Sequence, residues 1–240
     1  MLIFLDIETT GLEEEAKIVS LALIALEDGS CYANYHLVNE GEKIPAKASS
    51  IHHGTNEMIR GKPKLKESET YKFLQAQNLP TTTLIAHNIK FDLKMLLACG
   101  FEFCGEIIDT LRVTKHLIPE CENFSLQFLR YELKLYRDEE REALACSMES
   151  EIRSHNALSD ALVDKLLYNY LLEIASKDEM CELSFKKVLM QKFNFGKYEG
   201  RYIEEISICD RGYLEWMLMN ILDLDEDLRY SINYYLEENL

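Results

Sequence analysis

The sequence predicts an α/β protein built on a mixed sheet that is flanked by helices. Its first strand-like segments, residues 1–8, 16–26 and 30–38, follow one another closely, and a turn at 27–30 joins the last two. This spacing is typical of antiparallel strands that are neighbours in a sheet. From about residue 66 onward helix-like and strand-like segments alternate, which favours parallel strands joined through helices.

The later elements are predicted from their end signals. Pro45 begins a loop with a short helix, and Gly100 is a helix-ending signal for the segment before it. The expected order is helix 66–78, strand 81–87, helix 89–99, strand 106–109 and then helices 110–117, 125–135, 138–152 and 156–176.

A second, smaller domain is predicted at the C-terminal end. Residues 193–206 predict a hairpin because Gly196 and Gly200 supply turns, and helices are expected near 211–222 and 225–238. We therefore expect an α/β domain over 1–177 and a small α+β domain over 178–240.

Composition limits the class of protein. The chain has 240 residues, of which 47% are hydrophobic, so a folded core is expected. The longest clearly apolar run, 21–26, is far too short to cross a bilayer, and the N-terminus lacks a signal-peptide pattern. The seven cysteines include no Cys-x-x-Cys pair, which argues against a disulfide framework. These features predict a cytoplasmic protein with reduced thiols and no membrane partner.

The net charge of −16 argues against a long, non-specific nucleic-acid footprint. Two basic stretches, 60–66 and 186–201, depart from this acidic background. Each is either a solvated face or a contact for phosphate. The acidic total is still compatible with a protein that holds a few nucleotides at a metal site.

Two carboxylates at the end of the first strand are the strongest chemical signal. Asp6 and Glu8 are two residues apart, so both side chains point to the same face of a strand. Two buried like charges are unfavourable unless a cation lies between them, and Mg²⁺ prefers such oxygen ligands. The alternative is a strand end whose acids simply reach solvent.

Two further clusters carry acidic residues. Asp92 lies in the first turn of the helix that follows the strand at 81–87, at the sheet edge where α/β proteins bind ligands. His155 and Asp160 flank the start of the helix at 156–176, with Asn156 as its cap. The five-residue offset predicts that the histidine approaches from a loop, toward a metal held by the aspartate.

In this order the motifs resemble the DEDD superfamily of 3′–5′ exonucleases, in the subgroup whose fifth residue is histidine. Asp6-x-Glu8-Thr9-Thr10-Gly11 matches the first motif, Asn88-x-x-Phe91-Asp92 the second and His155-x-Ala157-x-x-Asp160 the third. The resemblance covers about residues 1–175 and implies a ribonuclease H-like fold. The tail, with its segments 195–201 and 210–216, resembles the C-terminal domain of the bacterial exodeoxyribonuclease X family.

The resemblance implies a metal-dependent exodeoxyribonuclease that releases 5′-mononucleotides from DNA 3′ ends, in DNA repair or end processing. Two Mg²⁺ or Mn²⁺ ions would be the cofactors, and His155 would be the general base. The implied metal ligands are Asp6, Glu8, Asp92 and Asp160, and the implied substrate-binding residues are Thr9, Thr10, Leu12, His52, Asn88 and Phe91.

Other readings stay open at this point. An exoribonuclease, a polymerase proofreading subunit or a catalytically inactive nucleic-acid-binding module would share the same fold. The acidic segment 138–153, longer than is usual for the family, leaves the strand preference of the substrate open. The C-terminal domain is either a packing module, a contact for DNA or a site for a protein partner.

Overall fold

The computed structural model describes residues 1–13, 15–148 and 156–238. Five strands form a sheet in the order β3-β2-β1-β4-β5. The strands are β1 (Leu2–Thr9), β2 (Ile18–Glu27), β3 (Ser30–Leu37), β4 (Thr83–Ala86) and β5 (Glu106–Asp109). Strands β1, β2 and β3 are antiparallel neighbours, whereas β1, β4 and β5 run parallel. The predicted mixed sheet is therefore confirmed.

Helices cover the sheet and form most of the C-terminal region. They are α1 (Ala46–His52), α2 (Asn56–Ile59), α3 (Glu69–Ala76), α4 (Ile89–Ala98), α5 (Thr110–Leu117), α6 (Leu126–Glu132), α7 (Glu139–Ala145), α8 (Ala157–Leu172), α9 (Lys177–Leu183), α10 (Ile203–Cys209), α11 (Arg211–Asn220) and α12 (Glu226–Glu238). Among the described residues, no helix has the length and apolar character needed to span a bilayer.

Two apolar layers sandwich the sheet, and the alternation of β1 decides which residue enters which layer. Phe4 packs into the layer that contains α8, while its neighbours Ile3 and Leu5 pack into the layer that contains α3 and α4. Because side chains alternate along a strand, Asp6 and Glu8 share the face of Phe4. The carboxylates of β1 consequently point toward α8.

The C-terminal region has its own small core, made by α10, α11 and α12 with Phe193. Asp227 of α12 connects it to the larger domain, because its two carboxylate oxygens accept hydrogen bonds from the Arg112 guanidinium at 2.8 and 3.1 Å. Arg112 lies in the first turn of α5, directly after β5. This ion pair is largely buried and fixes the small domain against the carboxyl end of the sheet.

The start of the C-terminal domain differs from the sequence-based expectation. The hairpin predicted over 193–206 is reduced to two isolated bridge pairs, since Gly196 and Gly200 both turn the chain at a φ of +80° and α10 begins soon after. The division at 177/178 stays a prediction. Met180 of α9 packs into the larger core, which favours a boundary after that helix.

The expectation that all cysteines are reduced is wrong for one pair in this structure. Cys31 of β3 and Cys146, directly after α7, form a disulfide across a sequence separation of 115 residues. No sequence pattern predicts this bond, because the two thiols meet only after the edge strand and α7 have folded onto the same layer. The other described cysteines are free.

We expect the disulfide to stabilise the fold by about 2–4 kcal/mol, since closing so long a loop restricts the unfolded chain. Urea unfolding with and without a thiol reductant measures this difference. A variant with serine at the exposed Cys104 and Cys209 keeps the bond and is the matched control. Equal unfolding free energies in oxidised and reduced protein would contradict the expectation.

Candidate active site

Three carboxylates converge where β1 approaches α8. One oxygen from each of Asp6, Glu8 and Asp160 lies within 4.8 Å of the other two. Asp6 and Glu8 face α8 because of the strand alternation described above. Asp160 is in the first turn of α8, whose start is fixed by the Asn156 side chain accepting a hydrogen bond from the Ser159 backbone N–H at 3.3 Å.

Asp92 approaches the same region from a different strand end. It lies in the first turn of α4 and is 4% exposed. Asn88, which precedes α4, adopts a left-handed conformation with a φ of 71° and donates its backbone N–H to Asp109 at 3.1 Å. The carboxyl ends of the parallel strands β1, β4 and β5 thus meet at one edge of the sheet.

The pKa values of these acids reflect burial and mutual repulsion. Burial raises the pKa of Asp6 well above its usual range, and the charges of Asp92, Asp160 and Glu8 raise it further. Burial and the charge of Asp160 raise the pKa of Glu8 to about 8. Among the residues that the structure describes, the charges that raise the pKa of Asp6 and Glu8 are those of other acids.

This donor set fits a hard divalent cation. Carboxylate oxygens are the ligands that Mg²⁺ and Mn²⁺ prefer, and a cation would offset the repulsion that raises the pKa of Asp6 and Glu8. Binding would release the protons that these acids hold in the absence of metal. The acidic cluster is therefore a candidate metal centre.

A second layer of polar side chains holds Asp160. Gln127 of α6 donates its amide N–H to Asp160 Oδ1 at 2.6 Å, and its Oε1 accepts from Arg130 at 3.1 Å. Arg130 in turn forms an ion pair with Glu139, which is 5% exposed. Glu142 pairs with Lys165 in the same way, so two of the acids in the segment 138–153, Glu139 and Glu142, are paired with basic side chains.

Asp164, one helical turn beyond Asp160, is a buried acid that sequence reasoning missed. It is 1% exposed, its Oδ1 accepts a hydrogen bond from the Thr110 hydroxyl, and its Oδ2 has no hydrogen-bond partner in the described part of the chain. Thr110 also contacts His87 Nδ1 at 3.0 Å. Burial, reinforced by the charges of Asp109 and Asp160, raises the pKa of Asp164 to about 7.

This shift predicts a pH-dependent stability in chelator. An unfolded aspartate has a pKa of ~3.9, whereas the pKa of folded Asp164 is about 7. Between these two pH values the folded protein holds a proton on Asp164 that the unfolded chain has lost. The free energy of unfolding therefore falls as pH rises through that range. We expect Asp164→Asn to gain stability relative to wild type as pH increases, by on the order of 2–4 kcal/mol at pH 8.

Urea unfolding across this pH range measures that gain. Asp178→Asn, which changes a side chain that is 89% exposed, is the control and should give a difference from wild type that does not vary with pH. A difference for Asp164→Asn that also stays constant would show that Asp164 is ionised throughout.

A cavity of about 240 Å³ opens beside the acidic cluster and shares Glu8 with it. Its described lining also includes Ser20, Tyr35, His52 and Asn156. His52 Nδ1 accepts from the Gly54 backbone N–H at 3.0 Å, so Nε2 carries the proton and donates to the Thr9 carbonyl at 3.2 Å. Burial lowers the pKa of His52, in keeping with this neutral form.

The predicted substrate-binding residues are placed less uniformly. Among the described lining residues, His52 is the member of that set that reaches the cavity. The hydroxyls of Thr9 and Thr10 hydrogen-bond within the turn that follows β1, to the Gly11 carbonyl and from the Lys17 backbone N–H. Leu12 is 77% exposed, whereas the Phe91 ring packs against the core. His155 lies outside the described residues, and the roles assigned to all these residues stay predictions.

Tyr35 also lines the cavity, and its position there could be predicted only if the pairing register of β1, β2 and β3 were known. It lies opposite Ala22, which lies opposite Asp6 on the next strand. Burial raises the pKa of its hydroxyl, and the Ser20 and Asn156 side chains oppose that rise. Tyr35, Ser20 and Asn156 all line the cavity beside the acidic cluster.

Comparison with known proteins identifies the family. A model of the exonuclease family matches residues 3–168, and a model described as exodeoxyribonuclease X-like C-terminal matches residues 193–221. The chain belongs to the exonuclease family. The first match spans more than half of the chain and contains the acidic cluster, and the two matches follow the predicted order of the domains.

Several curated proteins and solved structures resemble this exonuclease-family chain. Exodeoxyribonuclease 10 of Escherichia coli K12 is 27% identical over 99% of both chains. The 3′-5′ exonuclease DinG of Bacillus subtilis is 28% identical, covering 71% of this chain and 17% of that protein. The structure of exonuclease X in complex with 5′ overhanging duplex DNA superposes with a TM-score of 0.59 at 24% identity, over 77% of this chain and 99% of that one. This last similarity confirms the predicted ribonuclease H-like fold.

Proposed function

We propose that this exonuclease-family protein is a metal-dependent 3′–5′ exodeoxyribonuclease that releases 5′-mononucleotides from DNA ends. The observation that carries the proposal is the convergence of Asp6, Glu8 and Asp160 within 4.8 Å, inside the segment that matches the exonuclease family. A catalytically inactive binding module would have no need for so unfavourable a cluster of acids that are buried or partly buried.

Two Mg²⁺ or Mn²⁺ ions are the proposed cofactors, held by Asp6, Glu8, Asp92 and Asp160. When bound, such ions stabilise the charge that develops on the phosphate and favour ionisation of the attacking water. The chain itself would orient these ligands: the hydrogen bond from Gln127 fixes Asp160, and the packing of α4 fixes Asp92.

The cavity beside Glu8 is the proposed site for the 3′-terminal nucleotide. His52, held by its two hydrogen bonds, would form one wall, and Tyr35 would form part of another. Thr9, Thr10, Leu12, Asn88 and Phe91 remain proposed contacts near the entrance. His155 would accept the proton of the attacking water, a role suited to a side chain that titrates near neutral pH.

DNA is the proposed substrate because both the family of the tail and the full-length relative point to deoxyribonucleases. Proofreading exonucleases are a second class of relative, such as the DNA polymerase III subunit epsilon-like protein of Rhodobacter capsulatus, which is 31% identical over 56% of this chain and 20% of that protein. The C-terminal domain favours a free-standing enzyme over that class. We place the proposed activity in the cytoplasm, in DNA repair or end processing.

Single-stranded DNA labelled at its 5′ end, and RNA of the same sequence, test this proposal directly. Stepwise shortening of the DNA in Mg²⁺, lost on chelation, is the expected result. Shortening of RNA alone would retain the mechanism but overturn the substrate. Release of the 5′ label in a mononucleotide would show cleavage from the 5′ end and would contradict the proposed 3′–5′ direction.

A further inference from the structure

The C-terminal domain carries aromatic rings at the surface of its core, where Tyr198 and Tyr213 are partly buried. Leu214 and Met217 of α11 are buried, whereas Trp216 on the same helix is 52% exposed. Tyr213 lies three residues before Trp216 and therefore on the same side of α11. The two rings stack with centroids 6.1 Å apart and planes 22° apart, and Tyr198 meets Tyr213 edge to face at 5.1 Å. These rings form one continuous aromatic surface.

Lysine ammonium groups lie directly over these rings. Lys197 Nζ is 4.6 Å from the centroid of Tyr198 and 5.4 Å from that of Tyr213, and Asp210 holds it there at 3.0 Å. Lys192 Nζ lies 4.8 Å from the centroid of Tyr202, a ring that is 50% exposed. We call this set the aromatic–basic patch: Lys192, Lys197, Tyr198, Tyr202, Tyr213 and Trp216.

The patch belongs to a basic stretch of an acidic protein. Residues 186–201 contain five basic side chains against one acid, while the whole chain carries a net charge of −16. Among the described residues, Lys192 has no acidic partner in an ion pair, so its ammonium group can bind an external anion. A cation held over an exposed ring is unfavourable for a purely apolar protein interface, because docking would bury that charge.

We propose that the aromatic–basic patch binds single-stranded DNA outside the active site, an inference that rests on the proposed exonuclease function. Unpaired bases would stack on Trp216 and the tyrosine rings, and the lysines would contact the phosphates. Duplex DNA is a poorer partner, since its base faces are already stacked within the helix. The patch supplies local positive charge for holding a strand in a chain that is acidic overall.

Trp216 makes binding directly measurable, because it is the single tryptophan of the chain. Oligothymidylate is titrated into the Asp6→Ala variant in chelator, where no cleavage occurs, and tryptophan fluorescence is recorded. We expect saturable quenching by the oligonucleotide, because a base stacked on the indole quenches its emission. Thymidine 5′-monophosphate at the same nucleotide concentration should quench far less, since it cannot span the patch.

Variants then test the patch by an independent readout, fluorescence anisotropy of a labelled oligothymidylate. Trp216→Ala should weaken binding about 5- to 100-fold, the effect of removing one stacked base. Lys192→Ala should weaken it and reduce the slope of log K against log salt by about 0.7, the value for one phosphate contact on a single strand. Tyr234→Ala, which removes a ring that is 38% exposed on α12 outside the patch, is the matched control and should bind like wild type.

Cleavage by the active enzyme separates this inference from the proposed function. Trp216→Ala should raise the KM for long oligothymidylate much more than the KM for a thymidine dinucleotide. Shortening of DNA without any change in Trp216 fluorescence, or equal binding by Trp216→Ala, Lys192→Ala and the Tyr234→Ala control, would overturn the patch and leave the exonuclease intact. Quenching and variant-dependent binding in a protein that cleaves no nucleic acid would retain the patch and overturn the proposed function.

Discussion

Replacing Asp6 with alanine should reduce cleavage of DNA by on the order of 10³-fold or more. Asp6 lies in the acidic cluster with Glu8 and Asp160, and its pKa is raised by burial and by the charge of every other proposed metal ligand. Losing a ligand that positions catalytic metal removes several kcal/mol of transition-state stabilisation, and each ~1.4 kcal/mol is tenfold in rate. Initial rates on labelled single-stranded DNA in saturating Mg²⁺ measure the loss.

Two controls distinguish a chemical effect of Asp6→Ala from unfolding. Because Asp6 is a partly buried acid among other acids, we expect the variant to be no less stable than wild type in chelator. Asp178→Ala, which removes an exposed carboxylate from α9, should retain full activity. Full activity of Asp6→Ala would show that cleavage does not depend on this cluster.

Replacing His155 with alanine should reduce turnover by about 10²–10⁴-fold, the usual contribution of a general base. The expectation comes from the sequence motif and from Asp160, five residues later, whose place in the acidic cluster is defined by the structure. Single-turnover rates at saturating DNA measure this change.

Metal binding and chemical rescue separate a base from a structural residue at position 155. Mn²⁺ affinity, measured by titration calorimetry, should be nearly the same in His155→Ala and wild type, and added imidazole should restore part of the turnover. A variant that turns over normally, or one that has lost Mn²⁺ affinity to the same degree as Asp6→Ala, would rule out the base.

The sequence was most informative where the determining physics is local. The alternation of a strand is enough to predict that Asp6 and Glu8 share a face, and a helix start is enough to place Asp160 in a first turn. The approach of β1 to α8 depends on the tertiary fold, and it was predicted only because the motifs resemble those of a known superfamily.

Features that depend on pairing distant segments were beyond the sequence. Asp164 looks like one polar position in an apolar helix until α8 packs against Thr110, 54 residues earlier. Tyr35 reaches the cavity only because of the register of β3 on β2, and the Cys31–Cys146 disulfide joins segments 115 residues apart. The prediction of a hairpin over 193–206 was wrong, since Gly196 and Gly200 turn the chain before a ladder of paired strand residues can form.

Anomalous diffraction from crystals soaked in Mn²⁺ and a deoxynucleoside 5′-monophosphate tests the central claim most directly. The account predicts manganese peaks at coordination distance from the carboxylates of Asp6, Glu8 and Asp160, with the nucleotide in the cavity beside His52. Manganese bound only elsewhere, or a nucleotide bound away from an acidic cluster that stays empty of metal, would contradict it.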